Sequence, residues 1–137
     1  MIALDTNAIV RMLIEDDEEQ AKAVKDIVKL AEKDSKQILV LSEVLIETVW
    51  VLESVYKCAR NEVVNFLETL ISNSVFIFKD SLIIRSAIKQ YKQGEDFADL
   101  IIVGQAKKQN AKKFFSFDKR LQKLFPDYVV EKIQTAD

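Results

Sequence analysis

MIALDTNAIVRMLI, residues 1–14, is the stretch that decides the fold. Its first four residues, Met1–Leu4, are short and apolar, as strands buried on both faces tend to be, and Asp5 closes the run. From Thr6 to Ile14 the pattern turns helical. A strand that runs through an acid into a helix is the opening of a βα unit, and the rest of the chain repeats the plan. Strand-type runs at Met1–Leu4, Ile38–Leu41, Val75–Phe78, Phe114–Phe117 and Tyr128–Val130 alternate with longer helical patterns. The helices are expected at Thr6–Ile14, Glu18–Lys33, Ser42–Lys57, Asn61–Ser72, Ser81–Gln93 and Phe97–Gln109, with a short one at Lys119–Leu124. This alternation predicts an α/β fold of three layers, α/β/α, around a central parallel sheet.

Glycine and proline do little of the punctuation, because only two glycines and one proline occur. Gly94 suits a helix C-terminus, and Asn110 stands where a left-handed residue would release Gln109 before the strand at Phe114. Pro126 and Asp127 make the turn into the last strand, while Asp17 and Ser42 are candidate N-caps. With no repeat, linker or low-complexity segment, residues 1–137 are expected to form a single domain.

At 137 residues, 49% hydrophobic and 31% charged, the chain has the composition of a soluble globular protein and can bury a sizeable core. One cysteine, Cys58, excludes an internal disulfide framework and points to a reducing, cytoplasmic setting. A membrane association is not expected, since no basic leader or long apolar segment is present. The net charge of −2 is unevenly distributed: residues 1–56 hold 12 acidic and 6 basic side chains, residues 57–137 hold 10 acidic and 14 basic. Lys107, Lys108, Lys112, Lys113, Lys119, Arg120 and Lys123 surround Asp118 in sequence. Such a collar either holds the phosphates of a polyanionic substrate or is an ordinary solvated lysine-rich face.

Four acids stand in apolar settings: Asp5 in MIALDTN, Glu47 in LIETVWVL, Asp99 in DFADLIIV and Asp118 in FFSFDKRL. In open parallel sheets the functional crevice lies beyond the carboxyl ends of the strands. Asp5 and Asp118 follow strands directly, and Glu47 and Asp99 lie about a turn into helices, so all four are expected to converge there. Carboxylates that share a site repel, and a divalent cation reverses that sign. An all-oxygen donor set in a chain without histidine favours Mg²⁺ or Mn²⁺. Each acid also has a plainer use. Asp5, Asp96 and Asp118 can cap helices, and Glu43 suits a first-turn dipole role. Glu47 is harder to dismiss, because its helix is apolar almost all round and an unpaired carboxylate there costs several kcal/mol. Around these acids, Thr6 and Asn7 can orient Asp5 or cap locally, and Ser116 can bind water or phosphate or be a plain strand serine. Trp50 reads as core rather than as a base-stacking platform. Arg11 can reach phosphate, pair with an acidic partner segment or be a plain surface arginine, and Lys112, Lys113, Lys119 and Arg120 are further candidate contacts to the phosphates of a polyanionic substrate.

Strand-Asp-Thr-Asn at residues 5–7, Glu-x-Val-Trp-Val-Leu from Glu47, Asp-Phe-Ala-Asp-x-x-Ile from Asp96, and Ser-Phe-Asp at 116–118 stand in an order that resembles PIN-domain proteins, specifically VapC-type toxins of toxin–antitoxin pairs. The resemblance covers essentially the whole chain. It implies a PIN-like fold and an Mg²⁺- or Mn²⁺-dependent endoribonuclease, with Asp5, Glu47, Asp99 and Asp118 as the acidic tetrad and Asn7 and Ser116 as polar supports. It further implies an RNA substrate, with tRNA among the candidates, a homodimer and a VapB-like antitoxin. Asn110 stands where the family often has glycine, and Ser116 where it often has threonine; neither change removes a ligand.

Two other functions compete. A catalytically silent PIN-like module would bind RNA or protein and keep the acids only as structure. A phosphate-monoester transferase using Asp5 as nucleophile wants a second acid two residues on, and position 7 is Asn.

Overall fold

The structure, a computed structural model, describes residues 1–132. Five two-residue strands, β1 (Ile2–Ala3), β2 (Ile38–Leu39), β3 (Phe76–Ile77), β4 (Phe114–Phe115) and β5 (Val129–Val130), alternate with seven helices. These are α1 (Thr6–Leu13), α2 (Glu18–Lys33), α3 (Ser42–Ser54), α4 (Arg60–Ser72), α5 (Ser81–Lys92), α6 (Phe97–Lys108) and α7 (Lys119–Leu124). β1, β2 and β3 pair in parallel in that order, with Ile2, Ile38 and Phe76 in register. β4 and β5 form a second parallel pair. Backbone bonds extend the pairing past the strand ends, from Leu4 N to Leu39 O (3.2 Å) and from Val40 N to Ile77 O (3.0 Å). The architecture is the expected α/β/α arrangement, a parallel sheet flanked by helices.

β2, β3 and β5 each bury one residue and half-bury the other, whereas both residues of β1 and Phe115 of β4 are exposed, so the expected burial on both faces does not hold for every strand. Ile38, Val40, Leu45, Leu52, Val63, Ile84 and Ile101 form the centre of the main core, with Tyr91 and Phe97 as its largest buried side chains. Their rings meet edge to face at 6.0 Å. A smaller cluster of Val103, Leu121 and Val129 seats α7 and β5.

Helix ends follow the sequence closely where a cap or a left-handed residue marks them. Asp17 Oδ1 accepts from Gln20 N (3.0 Å) at the start of α2. Gly94 (φ +113°) follows the end of α5, where Glu95 N donates to Gln90 O (3.2 Å), and Asn110 (φ +65°) follows α6. Two expectations are corrected. Ser42 is the buried first residue of α3, preceded by Leu41, and caps nothing. The helix expected to reach Lys57 stops at Ser54, because Lys57 takes φ +56° and Cys58 N returns to Leu52 O (2.9 Å).

α3 also corrects the reading of Glu47 and Trp50. Although its sequence is apolar almost all round, only one stripe is buried, including Leu45, Val49 and Leu52. Thr48 is buried too, and its hydroxyl donates to Val44 O (2.7 Å). Glu43, Glu47 and Trp50 are spaced i, i+4, i+7 and are exposed, so Glu47 carries little desolvation cost and Trp50 is 60% exposed. Leu52→Ala is therefore expected to lower the unfolding free energy by about 2–5 kcal/mol. Trp50→Ala, two residues earlier, should change it by no more than about 0.5 kcal/mol. Urea titrations of both variants followed by circular dichroism check this, and equal losses would mean that Trp50 packs in the core.

Candidate active site

Three of the singled-out acids begin helices. Asp5 Oδ1 accepts from Ala8 N (2.9 Å), Asp96 Oδ2 from Asp99 N (2.9 Å), and Asp118 Oδ1 from Arg120 N (2.9 Å) and Leu121 N (3.1 Å). The capping use is thus real in each case. It engages one oxygen of each carboxylate, and among the described residues no hydrogen bond to the other is found. Ser116 Oγ accepts from Asp118 N (3.0 Å) and so fixes the turn that presents Asp118.

Asp96, Asp99 and Asp118 line one small cavity of about 30 Å³ with Glu95 and Arg120. That volume suits a water or a small ion. Asp99 is half-buried and its carboxyl is pushed up from the usual carboxylate range, first by burial and then by the charges of Asp96 and Asp118. Glu47 lines a different, larger cavity of about 400 Å³ with Glu43, Trp50, Glu53, Phe97 and others, and Asp96 forms part of both walls. Asp5 lies at the carboxyl end of β1 and lines neither. Among the described residues no three acids close on a common point as a ready metal cluster. Asp99 and Asp118 thus share the small cavity with Asp96, Asp96 also borders the cavity of Glu47, and the expected convergence of all four acids is not seen among the described residues.

What holds these pieces together had no signal in the sequence. Arg60, on α4, donates to the carbonyls of Tyr91 and Glu95 (both 2.8 Å) and stacks over the Tyr91 ring at 4.3 Å. Arg120, on α7, donates to Gly94 O (2.7 Å) and to Glu95 Oε2 (3.3 Å). Two arginines from different helices thereby hold the loop that carries Asp96 and Asp99, and Arg120 ties Asp118 to it. Tyr91 donates to Glu53 (2.8 Å), and burial and that bond push its phenol up.

Other expected site residues have plainer surroundings. Thr6 is buried and Asn7 exposed, and neither is hydrogen-bonded to Asp5 among the described residues. Arg11 bonds Gln20 (2.8 Å), Tyr56 (2.9 Å) and Asp16 (3.3 Å), tying α1 to the start of α2 and the end of α3. Within the basic collar, Lys113 donates to Asp127 O (2.9 Å), Lys119 pairs with Glu131, and Lys108 pairs with Asp80, holding its carboxyl below the usual range. Lys112 is exposed.

With the geometry in hand, the comparisons place the chain. A family model described as PIN domain matches residues 2–124, and the chain belongs to the PIN-domain family. Among curated proteins it is similar to a VapC ribonuclease of Aquifex aeolicus (strain VF5), 31% identical over 125 residues that span 90% of this chain and 92% of the relative. No solved structure matches it. The resemblance drawn from the four motifs is borne out.

The raised Asp99 carboxyl sets a stability cost whose sign is fixed. The folded state holds the proton more tightly than the unfolded chain, so stability falls as pH rises from the ordinary carboxylate range through the folded value. Without added metal, Asp99→Asn should raise the thermal midpoint at pH 7, and the gain should shrink towards about pH 4. Melting curves across that range check it, and a lower midpoint at pH 7 would contradict the repulsion.

Proposed function

We propose that this protein is a metal-dependent endoribonuclease of VapC type that hydrolyses RNA phosphodiesters. The observation that carries the reading is the cleft in which Asp99, repelled by Asp96 and Asp118, is held between them. A chain keeps such an arrangement at a cost to stability, and a divalent cation is the partner that removes the cost. The donors fit a hard ion: all are carboxylate oxygens, and the chain has no histidine. Asp99 and Asp118 would hold Mg²⁺ or Mn²⁺, with Asp96 beside them and Asp5 and Glu47 completing the tetrad when substrate and ion are bound. When bound, the ion would supply Lewis acidity that activates water and offsets charge on the phosphate.

The chain's own groups supply the rest. A carboxylate takes the proton of the attacking water, and Asp96 and Glu47, which share a wall, are placed for it. In-line attack on phosphorus breaks the bond to the 3′ oxygen, leaving 5′-phosphate and 3′-hydroxyl ends. Ser116 orients Asp118 through its main chain. The wider reading includes tRNA as a candidate substrate, a homodimer, a VapB-like antitoxin and a cytoplasmic setting. An exposed apolar patch with Met1, Ile2, Ile27 and Leu30 supports a partner that covers it.

An end-labelled tRNA pool incubated with and without Mg²⁺ or Mn²⁺ tests the reading. Discrete metal-dependent cuts are expected, reduced at least about 100-fold in Asp99→Asn and Asp118→Asn and lost in Asp5→Asn. Full cleavage by Asp5→Asn would remove Asp5 from the site. No cleavage of any RNA, with no Mn²⁺ binding by calorimetry, would favour the silent binding module.

A further inference from the structure

Trp50 is the chain's only tryptophan, and it is 60% exposed on the outward stripe of α3. Leaving so large an apolar ring in water forfeits burial that its neighbours Val49 and Leu52 obtain. The ring borders an open-sided cleft. It walls the cavity of about 400 Å³ whose apolar floor is Ile46, Val49 and Phe97 and whose polar groups are Glu43, Glu47, Glu53 and Asp96. A cavity of that size admits a drug-sized planar molecule.

We propose that this cavity is a substrate-base subsite, in which Trp50 stacks an unpaired nucleobase that carries an exocyclic amino group. The proposal rests on the ribonuclease reading, and it adds a specificity determinant to it. Three features choose the occupant. A flat aromatic wall over an apolar floor suits a flat, neutral, aromatic ligand, and stacking on tryptophan is the common way to hold a base splayed from single-stranded RNA. The rim offers carboxylates, which only accept hydrogen bonds, so the ligand's edge must donate. Adenine, cytosine and guanine present an exocyclic amino donor, whereas the uracil edge offers a single N3–H flanked by two carbonyl oxygens that would face the acids. Asp96 belongs both to this cavity and to the cleft of Asp99 and Asp118, so a base seated here belongs to the strand whose phosphate reaches that cleft.

A second copy of the chain fits less well, because a two-fold contact centred on Trp50 would face the acidic rim with itself. A basic peptide would satisfy the charges but leave the apolar floor poorly matched.

The fluorescence of Trp50 reports the site directly, since no other tryptophan contributes. Asp99→Asn protein, which is expected to cut at least about 100-fold more slowly, is titrated with short single-stranded oligomers of adenosine, cytidine or uridine in Mg²⁺. Saturable quenching by the first two is expected, with the uridine oligomer about tenfold weaker. In the cleavage assay, Trp50→Ala should raise KM about tenfold while kcat stays within about twofold, and Trp50→Phe should keep most of the affinity. Three results would overturn the proposal: no response to any RNA, a shift that depends on protein concentration alone, or quenching by an arginine-rich peptide and by no oligomer. Because the titration needs no turnover, it decides the pocket even if the cleavage assay rejects the ribonuclease reading.

Discussion

The short loop between α5 and α6 is the constraint on which the candidate site depends. It is a stretch of main chain with few side-chain anchors of its own, and its geometry requires the left-handed turn at Gly94. Arg60 and Arg120 supply what it lacks, donating from two different helices to its Gly94 and Glu95 carbonyls and, just before it, to that of Tyr91 at the end of α5. A guanidinium suits the task, since its planar set of donors can satisfy two acceptors at once while its charge stays partly solvated. The effect reaches the chemistry in two ways. The loop fixes where α6 begins, and with it Asp96 and Asp99, while Arg120 lies two residues from Asp118 and draws α7 against the same point.

The acids at this point do two jobs. A carboxylate at a helix N-terminus accepts from the first-turn amides, and Asp5, Asp96 and Asp118 are each oriented in this way. Asp99 has no such support from its own side chain and bears the repulsion of its neighbours.

Charge is organised differently from what the basic collar suggests. Several of its members are engaged inside the molecule: Lys107 lies over the rings of Phe125 (4.7 Å) and Tyr128 (5.1 Å), and Lys113, Lys119 and Arg120 join α7, β4 and β5 to their neighbours. Under the proposed reading, a polyanion would be met by a cation held in the carboxylate cleft and by stacking surfaces as well as by the lysines. Trp50 is one such surface, and Phe117, 73% exposed and adjacent to Asp118, is a second aromatic at the other side of the acids in sequence.

The alternation of apolar strand runs with helical patterns was enough to give the α/β class, the parallel sheet and most helix limits. Apolar runs, caps such as Asp17 and left-handed residues such as Gly94 and Asn110 are local effects that a sequence displays directly. The four acidic motifs were legible for the same reason, each being an acid out of place in an apolar run. What the chain could not show was which side of α3 faces inward. Its composition is apolar all round, and only contact with the rest of the core selects Leu45, Val49 and Leu52 and leaves Glu47 and Trp50 outside. Nor could it show that Asp96 shares a cavity with Asp99 and Asp118, or that Arg60 holds a loop about 35 positions away. Periodicity and capping arise between near neighbours along the chain. The choice of a buried face and the meeting of distant charges are fixed only when helices pack, because they depend on what each side chain touches across the fold.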